Sequence, residues 1–252
     1  MKILYALTLL LSFVTIYSKD LSYKEQLDSA FNFYKKADYK KALEYYHKIE
    51  ADGYTSAYMY YNMANAYFRL NKISKAILYY ERAKLLKPND PDIIHNLNYV
   101  NTFVSDKIKE LPEPFFITWF NSLINIFSVN TWAIIALVLF IILAVLVYLY
   151  YLFTNETLVK LLKIIAIFVF IIWIISIISA YSSYKHISTS NYAIITADIV
   201  EVKSSPDENS TSLFILHEGT KVQITEEFEN WFEIKIADGN TGWVKTTNVE
   251  KI

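Results

Sequence analysis

The stretch WAIIALVLFIILAVLVYLYYLF, residues Trp132–Phe153, contains no charged side chain, and neither does IIAIFVFIIWIISIISAYSSY, residues Ile164–Tyr184. The two stretches are 22 and 21 residues long. An α-helix rises about 1.5 Å per residue, so about 20 apolar residues cross the hydrocarbon core of a membrane. We therefore predict transmembrane helices over residues 131–153 and 158–184, which separate an N-terminal part of the chain from a C-terminal part.

The apolar cores of both predicted spans lack ionisable residues, which a proton relay or a transport path normally needs. We therefore expect the spans to be anchors or helix-contact surfaces. Residues 110–130 form a linker before them, because Pro112 and Pro114 disfavour a continuing helix. The aromatic residues of Phe115–Phe127 suit the headgroup layer of a membrane. The alternative is that this segment prolongs the first span.

The start of the chain predicts export. Residues 1–18 have the pattern of a signal peptide, with Lys2 before apolar Ile3–Ile16 and a small residue at Ser18. An uncleaved anchor helix is the alternative. The loop predicted at Thr154–Lys163 carries Lys160 and Lys163, and short positive loops stay in the cytoplasm. Both soluble parts are therefore expected outside the cytoplasm.

Composition argues against several classes of function. The 252 residues include 24 basic and 25 acidic ones, a net charge of −1, which gives no basic excess for nucleic acid. The chain has no cysteine, so disulfides and thiolate metal sites are ruled out. Its four histidines have no metal-ligand companion at close spacing, and no glycine-rich phosphate loop or nucleophile elbow occurs. We predict no catalytic residue, metal or cofactor, and expect a protein that is not an enzyme.

Residues 23–90 repeat with a period of 34. The aligned positions hold residues of similar size, namely Ala30 with Ala64, Phe33 with Tyr67, Ala42 with Ala76 and Tyr46 with Tyr80. This pattern resembles the tetratricopeptide repeat, in which alanines lie where paired helices approach closest. We predict a repeat domain over residues 19–109, with two repeats and a third helix that caps the stack. Asp90 and Pro91 begin this third helix, and Ile94 and Leu97 form its apolar face.

The resemblance implies that the repeat domain binds peptides or proteins on the concave face formed by the first helix of each pair. Leu27 stands where a lysine would complete a carboxylate clamp, so such a clamp is not predicted. The alternative is that the aromatic members of this face only pack between helices. By alignment, the protein-binding residues are Tyr58, Tyr61, Asn65, Arg69, His95 and Tyr99.

The C-terminal part, residues 191–252, changes to short β-type runs. Turn residues separate them, and Asp238-Gly239 is typical of a two-residue hairpin. Gly219, Gly239 and Gly242 are expected at turns, and Glu226-Glu227 is expected to be solvated charge in a turn. The predicted strands are Ile199–Val202, Leu213–Leu216, Val222–Ile224 and Phe232–Ile236.

This order of strands and turns resembles a bacterial SH3 domain, including Trp231-Phe232-Glu233-Ile234 and Gly242-Trp243-Val244. Strand alternation places Trp231 opposite the core face, so Trp231 and Trp243 are the predicted ligand-binding residues. The alternative is that both tryptophans seal a small barrel. Lys245 stands where eukaryotic relatives have a groove-forming proline, so polyproline binding is not predicted.

The fold class predicted for the whole chain is a multi-domain membrane protein with an all-α repeat array, two transmembrane helices and an all-β SH3-like barrel. That order resembles the BatE family of the Bacteroides aerotolerance operon, notably over Ala76–Ala83, Lys87–Asp90 with His95–Leu97, and Lys203–Glu208. The resemblance implies a non-enzymatic component of the bacterial inner membrane with periplasmic domains. The partners that it implies are membrane proteins with von Willebrand factor A domains and, indirectly, a MoxR-type ATPase.

The function expected from these features is a scaffold of an envelope stress system that holds partner proteins. The alternative is a cell-wall sensor that binds peptidoglycan peptides through the SH3-like domain. A hydrolase of the wall is a third and weaker hypothesis.

Overall fold

A computed structural model describes residues 23–109, 111–112, 114–189 and 191–252. The predicted signal peptide, residues 1–18, lies outside the described residues. The described chain forms two compact units. The first holds the residues up to Ala83, His95–Ile108 and Tyr192–Ile252, and the second holds Lys84–Ile94 and Lys109–Asn191.

The N-terminal helices follow the 34-residue period of the sequence. Helix α1 covers residues 23–35, and it is followed by α2 (Tyr39–Ala51), α3 (Ala57–Arg69) and α4 (Ile73–Leu86). The aligned alanines are fully buried, as the repeat pattern predicts, because only a small side chain lets the helices approach so closely. The turn inside each repeat contains a left-handed residue at the same repeat position, Ala37 with φ 60° and Asn71 with φ 56°.

Helix α5 (Pro91–Asn101) follows the second repeat. The Asp90 carboxylate accepts hydrogen bonds from the backbone N–H groups of Asp92 and Ile93, which makes Asp90 the N-cap. The predicted apolar face is corrected by one residue. Ile93 is buried, with Leu97 and Val100 on the same stripe, while Ile94 is half-buried. Positions separated by four and then three residues lie on one helix face, so the stripe begins at Ile93.

The C-terminal residues form an antiparallel sheet with strand order β3-β2-β6-β5-β4-β1-β7. Residues that alternate along the strands, such as Val200, Val202, Phe232 and Ile234, form its buried core. The strands are β1 (Tyr192–Ile195), β2 (Ile199–Lys203), β3 (Ser212–His217), β4 (Lys221–Phe228), β5 (Trp231–Lys235), β6 (Thr241–Lys245) and β7 (Val249–Lys251).

Three details of the predicted sheet were wrong. Glu226-Glu227 does not lie in a turn, because β4 continues to Phe228 and pairs with β5, although both glutamates are exposed. The hairpin at Gly239 has a three-residue loop, in which Gly239 donates to the Ile236 carbonyl and has φ 94°. Gly242 lies within β6, where a Cβ would approach Val202 Cγ1 to 2.5 Å. Close approach of β2 requires glycine there, rather than a turn.

The second unit contains helices α6 (Phe115–Ile124), α7 (Val129–Leu152) and α8 (Glu156–Ser188). Within the described residues, two helices are long and apolar enough to cross a membrane, Val129–Leu152 and Glu156–Lys185. Helix α6 does not prolong the first span, since it ends at Ile124 and α7 starts anew with Ser128 as its N-cap.

The loop between the two long helices is shorter than predicted. Asn155 accepts hydrogen bonds from the N–H groups of Thr157 and Leu158, so α8 begins at Glu156. Lys160 and Lys163 therefore lie in the first turns of α8 rather than in a loop. Both remain at the connected end of the helix pair.

Candidate functional site

The predicted protein-binding residues of α3 meet a polar side chain that the sequence did not single out. Asn96 of α5 donates to the Tyr61 hydroxyl at 2.9 Å and to Asn65 Oδ1 at 3.4 Å. The Tyr80 hydroxyl also donates to Asn65 Oδ1, at 2.6 Å. Tyr61 and Asn65 therefore join α3, α4 and α5, and their half-buried side chains have a packing role as well as a place on the predicted face.

The other predicted residues of this face are open to solvent. Tyr58 and Tyr99 are 48% and 53% exposed, and Arg69 and His95 are exposed as well. Tyr99 lies edge-on to Phe103, at 5.4 Å between ring centroids. Tyr58 and Tyr99 also lie edge-on to Phe31 and Phe68, so each ring has one side in contact with the repeats and one side open to solvent.

The two repeats differ at one point of this face. Tyr46 and Tyr80 are equivalent and both are buried, but among the described residues the Tyr46 hydroxyl has no hydrogen-bond partner. The position equivalent to Asn65 is Phe31, which cannot accept a hydrogen bond. Burial raises the pKa of Tyr46, so its proton stays on the hydroxyl. The hydrogen-bonded polar side chains of the face, namely those of Tyr61, Asn65, Tyr80 and Asn96, thus belong to the second repeat and to α5.

The two predicted tryptophans lie on one outer face of the SH3-like sheet. Trp231 is opposite Lys245 and Trp243 is opposite Glu233, and residues that face each other across strands share a face. The neighbours Phe232, Ile234 and Val244 belong to the buried core cluster, and neither tryptophan is part of that cluster. Both tryptophans are half-buried, less open than the sequence suggested.

Charged and apolar side chains surround the two tryptophans. The Lys245 ammonium lies 5.9 Å from the Trp231 ring centre and pairs with Glu208. Lys203 is opposite Trp243 and pairs with Glu201 at 2.8 Å. Phe228, opposite Trp231 and 49% exposed, extends the face and was not predicted. This surface could hold a ligand that has an apolar group together with both signs of charge.

The repeat domain and the SH3-like domain contact each other, which the sequence did not predict. Asp106, after α5, accepts hydrogen bonds from the His217 backbone N–H and the Thr220 hydroxyl, each at 2.7 Å, and lies 2.7 Å from His217 Nδ1. Burial by itself raises the pKa of Asp106, but the hydrogen bonds from Thr220 and His217 outweigh it. The pKa of Asp106 therefore lies below the ordinary value of an aspartate.

Helix α4 carries the other side of this contact. Glu81 is 7% exposed and receives the Lys221 ammonium at 2.8 Å. Arg82 donates to the Lys251 backbone carbonyl at 2.8 Å. Glu81 stands four residues after buried Ile77, and this acidic residue in the apolar stripe of α4 was a sequence signal for a charged partner.

A polar network inside the repeats adjoins the same contact. Glu50 accepts from the Tyr79 hydroxyl at 3.1 Å, and it pairs with His47 at 3.1 Å and with Arg82 at 3.5 Å. Burial raises the pKa of Glu50, but these partners reverse the shift and leave the pKa below 4.5. Burial and the charges of Glu250 and Glu50 raise the pKa of Tyr67 to about 12. His47, which the sequence left as an isolated histidine, belongs to this network.

Comparison with known families identifies both modules. The model of the tetratricopeptide repeat matches residues 57–90, and that of the bacterial SH3 domain matches residues 200–250. None of the curated proteins matches the chain. In the part of the chain that the structure describes, no group of three or more histidine or acidic residues could hold a metal ion. The chain is thus a protein with two modules of a kind that binds proteins or peptidoglycan, joined to two helices that could span a membrane.

Proposed function

We propose that the protein is a membrane-anchored scaffold that holds a partner protein on the face of Tyr58, Arg69, His95 and Tyr99. The observation that carries this proposal is that these residues are exposed, while Asn65 on the same predicted face is held in place by hydrogen bonds. Exposed side chains that stand beside residues already fixed by hydrogen bonds lose less freedom when a ligand binds, which lowers the cost of binding. This role needs no catalysis.

The system served by this scaffold is proposed from the resemblance to the BatE family. The partners would be membrane proteins with von Willebrand factor A domains, in an envelope stress system of the aerotolerance type. A MoxR-type ATPase in the cytoplasm would be reached through those proteins. Both soluble domains would lie in the periplasm, held there by the two long helices.

The scaffold is tested by cross-linking in native membranes. Tagged full-length chain is purified with its cross-linked partners, which are identified by mass spectrometry. Arg69→Glu combined with Tyr99→Ser should remove partners that wild type retains, because it reverses a charge and removes an exposed ring on the predicted face. Lys40→Glu is the matched control, since Lys40 is an exposed cation on the second helix of the first repeat. An unchanged set of partners in the double variant would reject this face as the docking surface.

A second candidate function is a sensor of peptidoglycan peptides, favoured by the face of Trp231 and Trp243. Stem peptides of the wall carry both amines and carboxylates, and this face offers Lys203, Lys245 and Glu208. Full-length chain in detergent should sediment with isolated wall, and Trp231→Ala should reduce that binding. Tyr192→Ala is the control, since it changes an exposed aromatic residue of β1, a strand that pairs with β4 and β7 rather than with the strands of the two tryptophans. Equal binding of all three chains, or none, would count against the sensor.

A further inference from the structure

A short segment after α5, Val104–Ile108, lies against the SH3-like domain without forming a helix or a strand. Its residues alternate between buried and exposed. Val104 is buried, the Asp106 side chain is 13% exposed and Ile108 is half-buried, while Ser105 and Lys107 are exposed. The segment thus presents an apolar, an acidic and an apolar side chain to the domain, each separated by one exposed residue.

The turn between β3 and β4 receives the acidic side chain. Both carboxylate oxygens of Asp106 are used, by the His217 backbone N–H, the His217 ring and the Thr220 hydroxyl. Charge-assisted hydrogen bonds of this kind are about twice as strong as neutral ones. A hydroxyl, an imidazole and a backbone N–H that converge on one carboxylate form a recognition site for an anion.

The turn and the core of the domain contact the two apolar side chains of the segment. A Cβ at Gly219 would lie 3.0 Å from Val104 Cγ2 and 3.0 Å from Ile77 Cδ1, and its φ of 86° also favours glycine. Ile108 packs against the core cluster of the domain. The turn therefore accommodates the residue two before the carboxylate, and the core of the domain contacts the residue two after it.

The attachment of the segment depends on side chains. Within the described residues, no backbone–backbone hydrogen bond joins residues 104–109 to the SH3-like domain. A strand of the sheet would be held by a ladder of such bonds, whereas this segment can leave without breaking any. It occupies the turn as a bound peptide would.

We propose that the β3–β4 turn of the SH3-like domain is a binding site for protein segments with a carboxylate flanked at two residues on each side by apolar side chains, and that Val104–Ile108 is its internal, replaceable ligand. A partner protein with this pattern would displace the internal segment. Displacement would free the C-terminal end of the predicted repeat domain from the SH3-like domain. This site is independent of the partner-binding face proposed above.

The internal ligand has the advantage of high local concentration, because a short tether makes its binding intramolecular. A free peptide should therefore bind weakly to the wild-type chain and more tightly once the internal segment is disabled. Asp106→Lys disables it by placing a cation where the carboxylate lies. Ser105→Lys is the matched control, since it introduces the same side chain at the adjacent, exposed position.

The experiment uses full-length chains in detergent and a fluorescent peptide with the sequence of residues 102–109, TFVSDKIK. Asp106→Lys should bind this peptide at least tenfold more tightly than wild type or Ser105→Lys, in line with the tethering advantage. The same peptide with asparagine in place of its aspartate should lose that binding. Equal affinity of all three chains, or binding that ignores the aspartate, would overturn the proposal.

A second measurement does not depend on the folding of Asp106→Lys. Because the chain has no cysteine, Ser105→Cys can carry a single spin label. Excess peptide should increase the mobile fraction of the label, and the asparagine peptide should not. A label that stays immobile at saturating peptide would show that the segment is a permanent part of the fold, which contradicts the proposal.

Discussion

At the scale of single residues, the two repeats show that the contribution of a buried tyrosine to stability depends on whether a neighbouring side chain can accept its hydrogen bond. Tyr80 and Tyr46 occupy the same repeat position and are almost completely buried. The Tyr80 hydroxyl donates to Asn65. In the first repeat the position equivalent to Asn65 is Phe31, which cannot accept a hydrogen bond from Tyr46. In the part of the chain that the structure describes, the buried Tyr46 hydroxyl has no partner to compensate its lost hydration, so these identical residues are expected to contribute differently to stability.

This difference predicts opposite effects of the same substitution. Tyr80→Phe removes a hydrogen bond of 2.6 Å and should lower the free energy of unfolding by about 1 kcal/mol. Tyr46→Phe removes a hydroxyl that has no hydrogen-bond partner within the described residues, and it should leave stability unchanged or raise it. Urea unfolding of the full chain in detergent, followed by tyrosine fluorescence, compares the two. Equal destabilisation by both would mean that Tyr46 has an acceptor after all.

At the scale of elements, the contact between the repeat domain and the β3–β4 turn of the SH3-like domain depends on the negative charge of Asp106. The contacts of Asp106 favour its carboxylate form, because His217 and Thr220 donate to it and lower its pKa. A group whose pKa is lower in the folded state stabilises that state above its unfolded pKa. The stabilisation is lost as the pH falls through the folded pKa.

Acid should therefore loosen this element. Wild-type chain should keep the full contribution of Asp106 above about pH 4 and lose it below, since the ordinary pKa of aspartate is about 3.9. Amide hydrogen exchange at His217, whose N–H binds Asp106, should accelerate over that range. Asp106→Asn should exchange faster already at neutral pH and show a smaller change on acidification. Other carboxyl groups such as Glu50 also have a lowered pKa, so a comparable acid effect in Asp106→Asn would show that the change does not come from Asp106.

At the scale of the whole molecule, the repeats and the SH3-like domain share one compact unit. Glu81 is buried in α4 and its carboxylate is matched by Lys221 of β4. Only Glu81 is buried, since the Lys221 side chain is 40% exposed, so loss of Lys221 would leave the buried carboxylate without its charged partner. The two domains should therefore lose protection together when this pair is broken.

Lys221→Glu tests this dependence, because it places a second acidic group beside Glu81. The substitution should increase hydrogen exchange in α4 as well as in β4, with a loss of about 2 kcal/mol of stability for a charged hydrogen bond of this kind. Lys235→Glu, an exposed position on β5, is the control and should change neither element. Faster exchange confined to β4 would indicate that the domains behave independently.

The proposed topology makes a prediction for the complete chain. An enzyme reporter that is active only outside the cytoplasm, fused after Ile252, should be active, because two spans return the chain to the side of its exported N-terminal domain. The same reporter inserted at Asn155, between the two long helices, should be inactive. The reverse result would place both domains in the cytoplasm and reject the proposed periplasmic role.

The sequence by itself determined the elements whose physical signal is local. The helix pairs follow from a 34-residue period with alanines where the helices approach closest. The long helices follow from two apolar stretches of more than 20 residues without a charge, and four of the strands follow from short β-type runs between turn residues. The predicted turn at Glu226-Glu227 failed because pairing with β5 outweighs the weak preference of glutamate for strands. Strands β1, β6 and β7 were not among the four predicted strands. Strands β1 and β7 are short and gain their stability from partners distant in sequence, and β6 contains Gly242, which was expected at a turn.

Only the tertiary structure decided which polar residues meet. Asp106 and His217 are 111 residues apart, and Glu81 and Lys221 are 140 apart, so no spacing rule connects them. The period of the repeats placed Asn65 on the predicted face, but its contacts with Tyr80 and Asn96 depend on the packing of three helices. A buried charge without a partner is costly, so a buried acidic residue predicts that a partner exists. The sequence does not say which residue that partner is, because the two meet only when the chain folds.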